Sequence, residues 1–437
     1  MNCNRKPAAV STYSTVSAAC GLLIAGLLSV ATVGAGAQTA AAPAASAASA
    51  ASAPTLRAEV GKPLQAAQDA IRAGNNKDAL ARLAEAEALP GLTPYELYII
   101  QRLKGPAAFG VGDLALAASQ FEAALASPLM PTADRKAITE TTVKLLLQLK
   151  DYPRAERLMT GFLAAGGSSP ELARLYPQVL AVLGDHAGVL RALAPELAAD
   201  AAAKRSTPEA TLRMLAASQN ALKDMPAYTV TLEKLAGGTG KADYWTELIQ
   251  RTVRRDGFAE ERLRLDVYRL RRAIGLPLDA GELGDMANMA QQAGLPAEAQ
   301  ALLDEGFASG LLGKDANAAA DKKLREASTK AATQDRASLA DAEASAAKAK
   351  DGNVAQGLAL ALSATGAHER AVALAATAQT RGSLRRPDDA LLHQGLVQWR
   401  AGKVDDARRT FAAVRGGDGT ADLARLWGIY LDSPARK

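Results

Sequence analysis

Residues 105–121, GPAAFGVGDLALAASQF, hold glycine, glycine, alanine and phenylalanine at Gly105, Gly112, Ala117 and Phe121. Residues 395–411, GLVQWRAGKVDDARRTF, repeat the same four residues at the same offsets, as Gly395, Gly402, Ala407 and Phe411. Weaker copies share the frame: Ala67, Gly74, Ala79, Leu83; then Ala287, Gly294, Ala299, Leu303; then Ala359, Gly366, Ala371, Ala375; and, degenerate, Val143, Lys150, Ala155, Met159. A helix hairpin explains the pattern. A small first residue lets a second helix approach the first, and the next glycine makes the turn. The alanine keeps the pair close. The aromatic or leucine four residues on shares the alanine's face and is expected to fill the space toward the next unit.

Register points extend the series. Ala79, Ala117 and Ala155 are evenly spaced, Val189 and Tyr228 follow, and Ala407 closes it; the intervals before Ala299 and Ala371 each leave room for one degenerate unit. That makes about ten units. One such hairpin cannot bury its own apolar face, so neighbours must stack. Composition agrees: 49% of residues are hydrophobic, mostly alanine and leucine, which lead the helix-propensity ranking, and aromatics are only 4%. Breaks at Gly91, Gly166-Gly167, Gly237-Gly238 and Gly275 delimit helices of about 12–16 residues, and no alternating β-branched stretch predicts a strand. The expected fold is all-α: an α-solenoid of antiparallel helix hairpins across residues 56–431.

In these residues and spacings the chain resembles the tetratricopeptide repeat family, whose typical repeat is slightly shorter than the average here. It departs from the family in mostly lacking the bulky aromatic early in the first helix, and the proline at the repeat end outside Pro128 and Pro131. The resemblance implies a concave groove lined by the first helix of each hairpin. Carried over position by position, the outward-facing places hold Arg102, Phe109, Glu140, Lys144, Arg174, Gln178, Arg213, Asn220, Asn288, Gln291, Leu392, Trp399 and Arg400. Arg102, Arg174 and Arg213 recur at one place and would form a positive stripe; ordinary helix-surface arginine is the alternative. Trp399 and Phe109 are the candidate anchors for a partner, with core packing as the alternative for Trp399. The Lys–Asn pairing by which some family members hold a terminal carboxylate is absent.

Two stretches stand apart from the frame. Residues 314–350 are helix-prone but have only Leu324 and Leu339 as large apolar residues, so a loosely packed segment is expected. Residues 420–431, TADLARLWGIYL, place Leu423, Leu426, Trp427, Tyr430 and Leu431 on one face and read as a capping helix.

The N-terminus carries a different message. Arg5 and Lys6 precede an apolar run from about Val16 to Val33 that ends at Ala35-Gly36-Ala37. These are the parts of a secretory signal peptide, residues 1–37, with cleavage expected after Ala37. An uncleaved N-terminal membrane anchor is the alternative; lipidation at Cys20 is disfavoured because the apolar run follows that residue. Residues 38–55 form an Ala/Ser/Pro linker with nothing to bury. Both cysteines, Cys3 and Cys20, lie in the segment to be removed, so the mature chain has no disulfide and no thiolate chemistry. Without Arg5 and Lys6 the net charge falls from +5 to +3, which gives no ground for nucleic-acid binding. The expected location is the periplasm or outside the cell.

No motif selects an active site. LAGGTGKA at 235–242 fails as a phosphate loop, since Leu235 and Ala242 stand where glycine and a hydroxyl residue are needed. His186, His368 and His393 lack metal-site spacing. Eight arginines in 251–272, among Asp256, Glu260, Glu261 and Asp266, read as a solvated helix face laced with ion pairs, or else as a basic patch for an acidic partner. No catalytic, cofactor or metal residue is expected. The expectation is a binding scaffold for a peptide or protein, or an accessory subunit of an envelope enzyme or secretion complex. An enzyme acting through paired carboxylates would show itself by a pocket holding two of raised pKa.

Overall fold

The computed structural model describes residues 55–314 and 316–434. The expected signal peptide and all but the last residue of the expected linker lie outside the described residues. The described chain is all-α, with no strand, and it divides into two compact units on either side of the Glu196–Leu197 bond.

The first unit contains α1 (Ala58–Arg72), α2 (Asn76–Glu87), α3 (Pro94–Gly110), α4 (Leu114–Ala126), α5 (Thr132–Gln148), α6 (Tyr152–Ala164), α7 (Pro170–Leu183) and the start of α8 (His186–Ala202). Helices α1/α2, α3/α4 and α5/α6 pack as antiparallel hairpins, and α2 on α3, α4 on α5 and α6 on α7 stack them. The frame positions are the core. Ala67, Ala79, Leu83, Ala117, Val143, Ala155 and Met159 are wholly buried.

Phe121 adds to the expectation: its ring lies against Gly105 of its own hairpin, where an added Cβ would sit 2.5 Å from the ring. Gly395 and Phe411 repeat this contact in the second unit at the same 2.5 Å. Glycine at the first place is therefore the space for the phenylalanine at the fourth. Turn glycines such as Gly112 (φ +84) and Gly402 (φ +75) adopt the left-handed conformation, and Lys150 and Lys223 take it (φ 59 each) where the frame has no glycine.

The second unit holds α9 (Glu209–Ala221), α10 (Met225–Thr239), α11 (Ala242–Val253), α12 (Glu260–Ile274), α13 (Ala280–Gln292), α14 (Pro296–Ala308), α15 (Ala318–Lys348), α16 (Asn353–Ala364), α17 (His368–Arg381), α18 (Pro387–Arg400), α19 (Val404–Ala413) and α20 (Thr420–Asp432). Helices α9/α10, α13/α14, α16/α17 and α18/α19 are hairpins in the same frame. The two degenerate intervals are built differently. One contains α11 and α12, the latter packed on α13 and α20; the other is the single 31-residue helix α15, which buries only Ser328, Ala332 and Ala346.

Helix α20 buries Leu423, Leu426, Trp427, Tyr430 and Leu431 and packs on α18, α19, α10 and α12. Trp427 stacks on Phe411 with centroids 5.7 Å apart and lies 4.8 Å from Trp399. The last helix thus returns to the beginning of its unit, and the stack closes on itself. One continuous apolar core runs from Leu232 to Leu431. Both units are tetratricopeptide-like stacks of helix hairpins, the α-solenoid arrangement.

Candidate binding cleft

Helix α12 is buried right round one turn: Leu265, Asp266, Val267, Tyr268, Arg269 and Leu270 are all buried, and so is Leu263. Such a helix belongs inside a fold. Two of its charged residues go inside with it, which corrects the expectation of a solvated face at those two positions, while the other arginines of 251–272 stay at least partly exposed. Asp266 and Arg269, one turn apart, are both buried. A buried guanidinium must be paired, and Arg269 uses three of its nitrogens. Nε and Nη2 donate to the two oxygens of Glu298 at 2.9 and 2.6 Å, and Nη1 donates to Asp266 at 2.7 Å.

The chain of charge continues at both ends. Arg400 donates to the Glu298 Oε1 at 2.9 Å, and His393 Nε2 lies 3.1 Å from the second oxygen of Asp266. Residues of α12, α14 and α18 are thereby joined in one line of five side chains. Burial alone would raise the pKa of Glu298, but the charges and hydrogen bonds of Arg269 and Arg400 outweigh it and hold it at about 2. Asp266, against the same penalty of burial, is likewise held below the usual carboxylate range by His393 and Arg269. Arg269 is held above its ordinary value because Glu298 and Asp266 outweigh its desolvation.

Above this line opens a cleft of about 380 Å³. Met286 and Leu302 form an apolar floor, Trp399 one wall, and Arg272, Glu305 and Arg400 the charged rim. Arg272 is bidentate to Glu305 at 3.1 and 2.6 Å. Ser363, buried on the lining, has no hydrogen-bond partner for its hydroxyl. The side chains offer an aromatic surface, charge-assisted donors and one spare hydroxyl. Among the described residues no group of three His, Cys, Asp or Glu side chains is placed to hold a metal ion, and no helix is long and apolar enough to cross a membrane.

Of the thirteen places expected to face the groove, those of Trp399 and Arg400 line this cleft. Leu392, expected to face outward, is buried in the core at 2% exposure because it sits on the packed side of α18. Asn288, Arg213 and Asn220 are exposed elsewhere on the second unit, and Gln291 is half-buried with its Oε1 unpartnered. In the first unit Arg174 is exposed and Phe109 is half-buried against the core. Arg102 and Lys144 have structural partners. Arg102 donates to Asp134 at 2.6 Å and to the Tyr98 hydroxyl at 2.8 Å, and Lys144 pairs with Glu171 at 3.0 Å. With Arg57–Glu96 at 2.9 Å, these pairs tie each first helix to the next. Arg102 is thus neutralised at short range and is not a free element of a positive stripe.

Sequence reasoning missed Asp266, Arg269, Arg272, Glu298 and Glu305. The available signal was the stripe Leu263, Asp266, Leu270: a carboxylate at helical spacing between two leucines is placed for burial.

No protein-family model matches the chain, and no curated protein matches it in sequence. Among solved structures the chain is similar to Naa15/Naa10 bound to HypK-THB, at 12% identity over 83% of this chain and 70% of that one, with a TM-score of 0.27. It is also similar to the TPR domain of P58(IPK), at 16% identity over 84% of this chain and 98% of that one, with a TM-score of 0.23.

Proposed function

We propose that this chain is an exported scaffold of the tetratricopeptide repeat type, which binds a peptide or protein partner without turning it over. The observation that carries the proposal is the cleft beside Trp399. A half-buried indole, an apolar floor and arginines on the rim are the ingredients of a recognition hot spot. Glu298 on its lining is held below the ordinary range by Arg269 and Arg400, which suits fixed charge better than proton transfer. The export half of the proposal rests on Arg5, Lys6, the apolar run and Ala35-Gly36-Ala37. It places the mature chain, starting at Gln38, in the periplasm or outside the cell.

Crosslinking and affinity capture from envelope extracts test both halves. The unaltered chain is expected to retain a partner protein. Trp399→Ala, with its fold checked by circular dichroism, is expected to weaken retention by about 2 kcal/mol, more than tenfold in affinity. Mass spectrometry of the recovered chain is expected to find Gln38 at its N-terminus. If the two chains capture the same proteins equally, the cleft is not the binding site. Should the major partner be an envelope enzyme or a secretion machine, the chain is that complex's accessory subunit.

A further inference from the structure

We infer that the second unit opens and closes along a polar seam, and that this movement gates the cleft. The inference rests on the cleft being a binding site. Closure joins segments more than a hundred residues apart. On one side stand α10, the loop before α12 and the first half of α12; on the other stand the start of α18, the loop at 414–419 and α20.

Ion pairs cross the seam, beside an apolar core to which α10, α12 and α20 all contribute. Arg425 pairs with Glu233, Arg255 with Asp422 at 2.8 Å, and Arg262 with both Asp389 and Asp418. A single backbone bond crosses it among the described residues, from the Ala259 N–H to the Asp418 carbonyl at 2.8 Å. The arginines of the seam keep 20–45% of their side-chain surface exposed, so solvent and salt reach them. Apolar contact at the seam includes Phe258 near Gly419 and Ile429 near Gly237. By contrast, Trp427 stacks on Phe411 and packs at a tilt against Trp399, which binds α20 firmly to α18 and α19. Those three helices therefore move together. The loop beside them has Gly416, Gly417 and Gly419, the last at φ +102, and Gly257 lies opposite at φ +82.

The cleft spans the same division. Arg269 and Arg272 come from α12, whereas Trp399 and Arg400 come from α18. Separation breaks the His393–Asp266 contact. It also takes Arg400, held by one bond, from Glu298, whose two oxygens stay with Arg269. The open form presents Trp399 and a released guanidinium to a partner.

Hydrogen exchange on the full chain, with no partner present, tests the seam. Raising salt from about 0.1 M to about 1 M shortens the screening length from about 10 Å to about 3 Å. Amides at 255–262 and 416–425 are expected to exchange about tenfold faster, while α13 and α14 are unchanged. Arg262→Gln is expected to give the same pattern at low salt; the salt series on the unaltered chain decides the matter if that variant fails to fold. Exchange at the seam that ignores salt, or that rises equally across the whole second unit, overturns the inference. Because this readout needs no partner, failure to capture one leaves the seam standing, and a static seam leaves the scaffold proposal standing.

Discussion

At Gly105 and Gly395 a methyl group has nowhere to go, since a phenylalanine ring occupies its place. Gly105→Ala is therefore expected to destabilise the first unit by about 1–3 kcal/mol, the usual cost of overpacking, seen as a lower denaturant midpoint. Phe121→Leu in the same chain should recover part of the loss. The recurring frame was legible in the sequence, but the fit of the phenylalanine against the glycine of its own hairpin was not, because fixed offsets do not say which neighbour a side chain meets. Arg269 was not legible. Its partner Glu298 lies 29 residues away and the His393 that completes the line lies 127 from Asp266, so the leucines around Asp266 hint at burial but nothing nearby in sequence shows what pairs with these charges. The same line of charge makes stability depend on acid. The Glu298 pKa falls from an ordinary 4.5 to about 2 on folding, so its contribution is complete above the unfolded value and is lost as the pH drops through that window. Thermal melts of the second unit are expected to fall steeply between those values, and Glu298→Gln should flatten the acid limb while lowering stability at neutral pH.

Among the helices, α12 and α15 show the two ways in which a repeat frame can lapse. Helix α12 lacks the small–turn–small pattern and is an interior strut, in which Arg269 looks superficial only in one dimension. Helix α15 was readable as helix from its alanine content, but its length was not, because an uninterrupted run of good helix formers has no signal telling one long helix from two short ones. With only Ser328, Ala332 and Ala346 buried, α15 has little to hold it in place. Its amides are expected to exchange at least about tenfold faster than those of α13, whose Leu283, Met286, Ala287 and Ala290 are buried. Equal protection in the two helices would mean that burial is not what sets local stability here. Elsewhere the helix starts are well specified: Asp113, Asp151, Asp185 and Asp224 each accept the amide three residues on, at 2.8–3.2 Å.

For the whole molecule, the distinction that matters is between a stack that ends and one that returns. In the first unit each hairpin leans on its predecessor, so stability can accrue stepwise along the chain. The second unit cannot be finished that way, because α20 and the loop before it supply contacts to α10, to α12 and to the loop before α12, 156–192 residues earlier. A chain ending at Arg415 is expected to lose the sharp melting of the entire second unit, while the first melts as before; calorimetry would resolve the two transitions. The consequence is temporal. During synthesis the first unit can mature as it emerges, whereas the second must wait, partly formed, for its final helix. A stop codon just before α20 would then cost far more than the few turns of that helix.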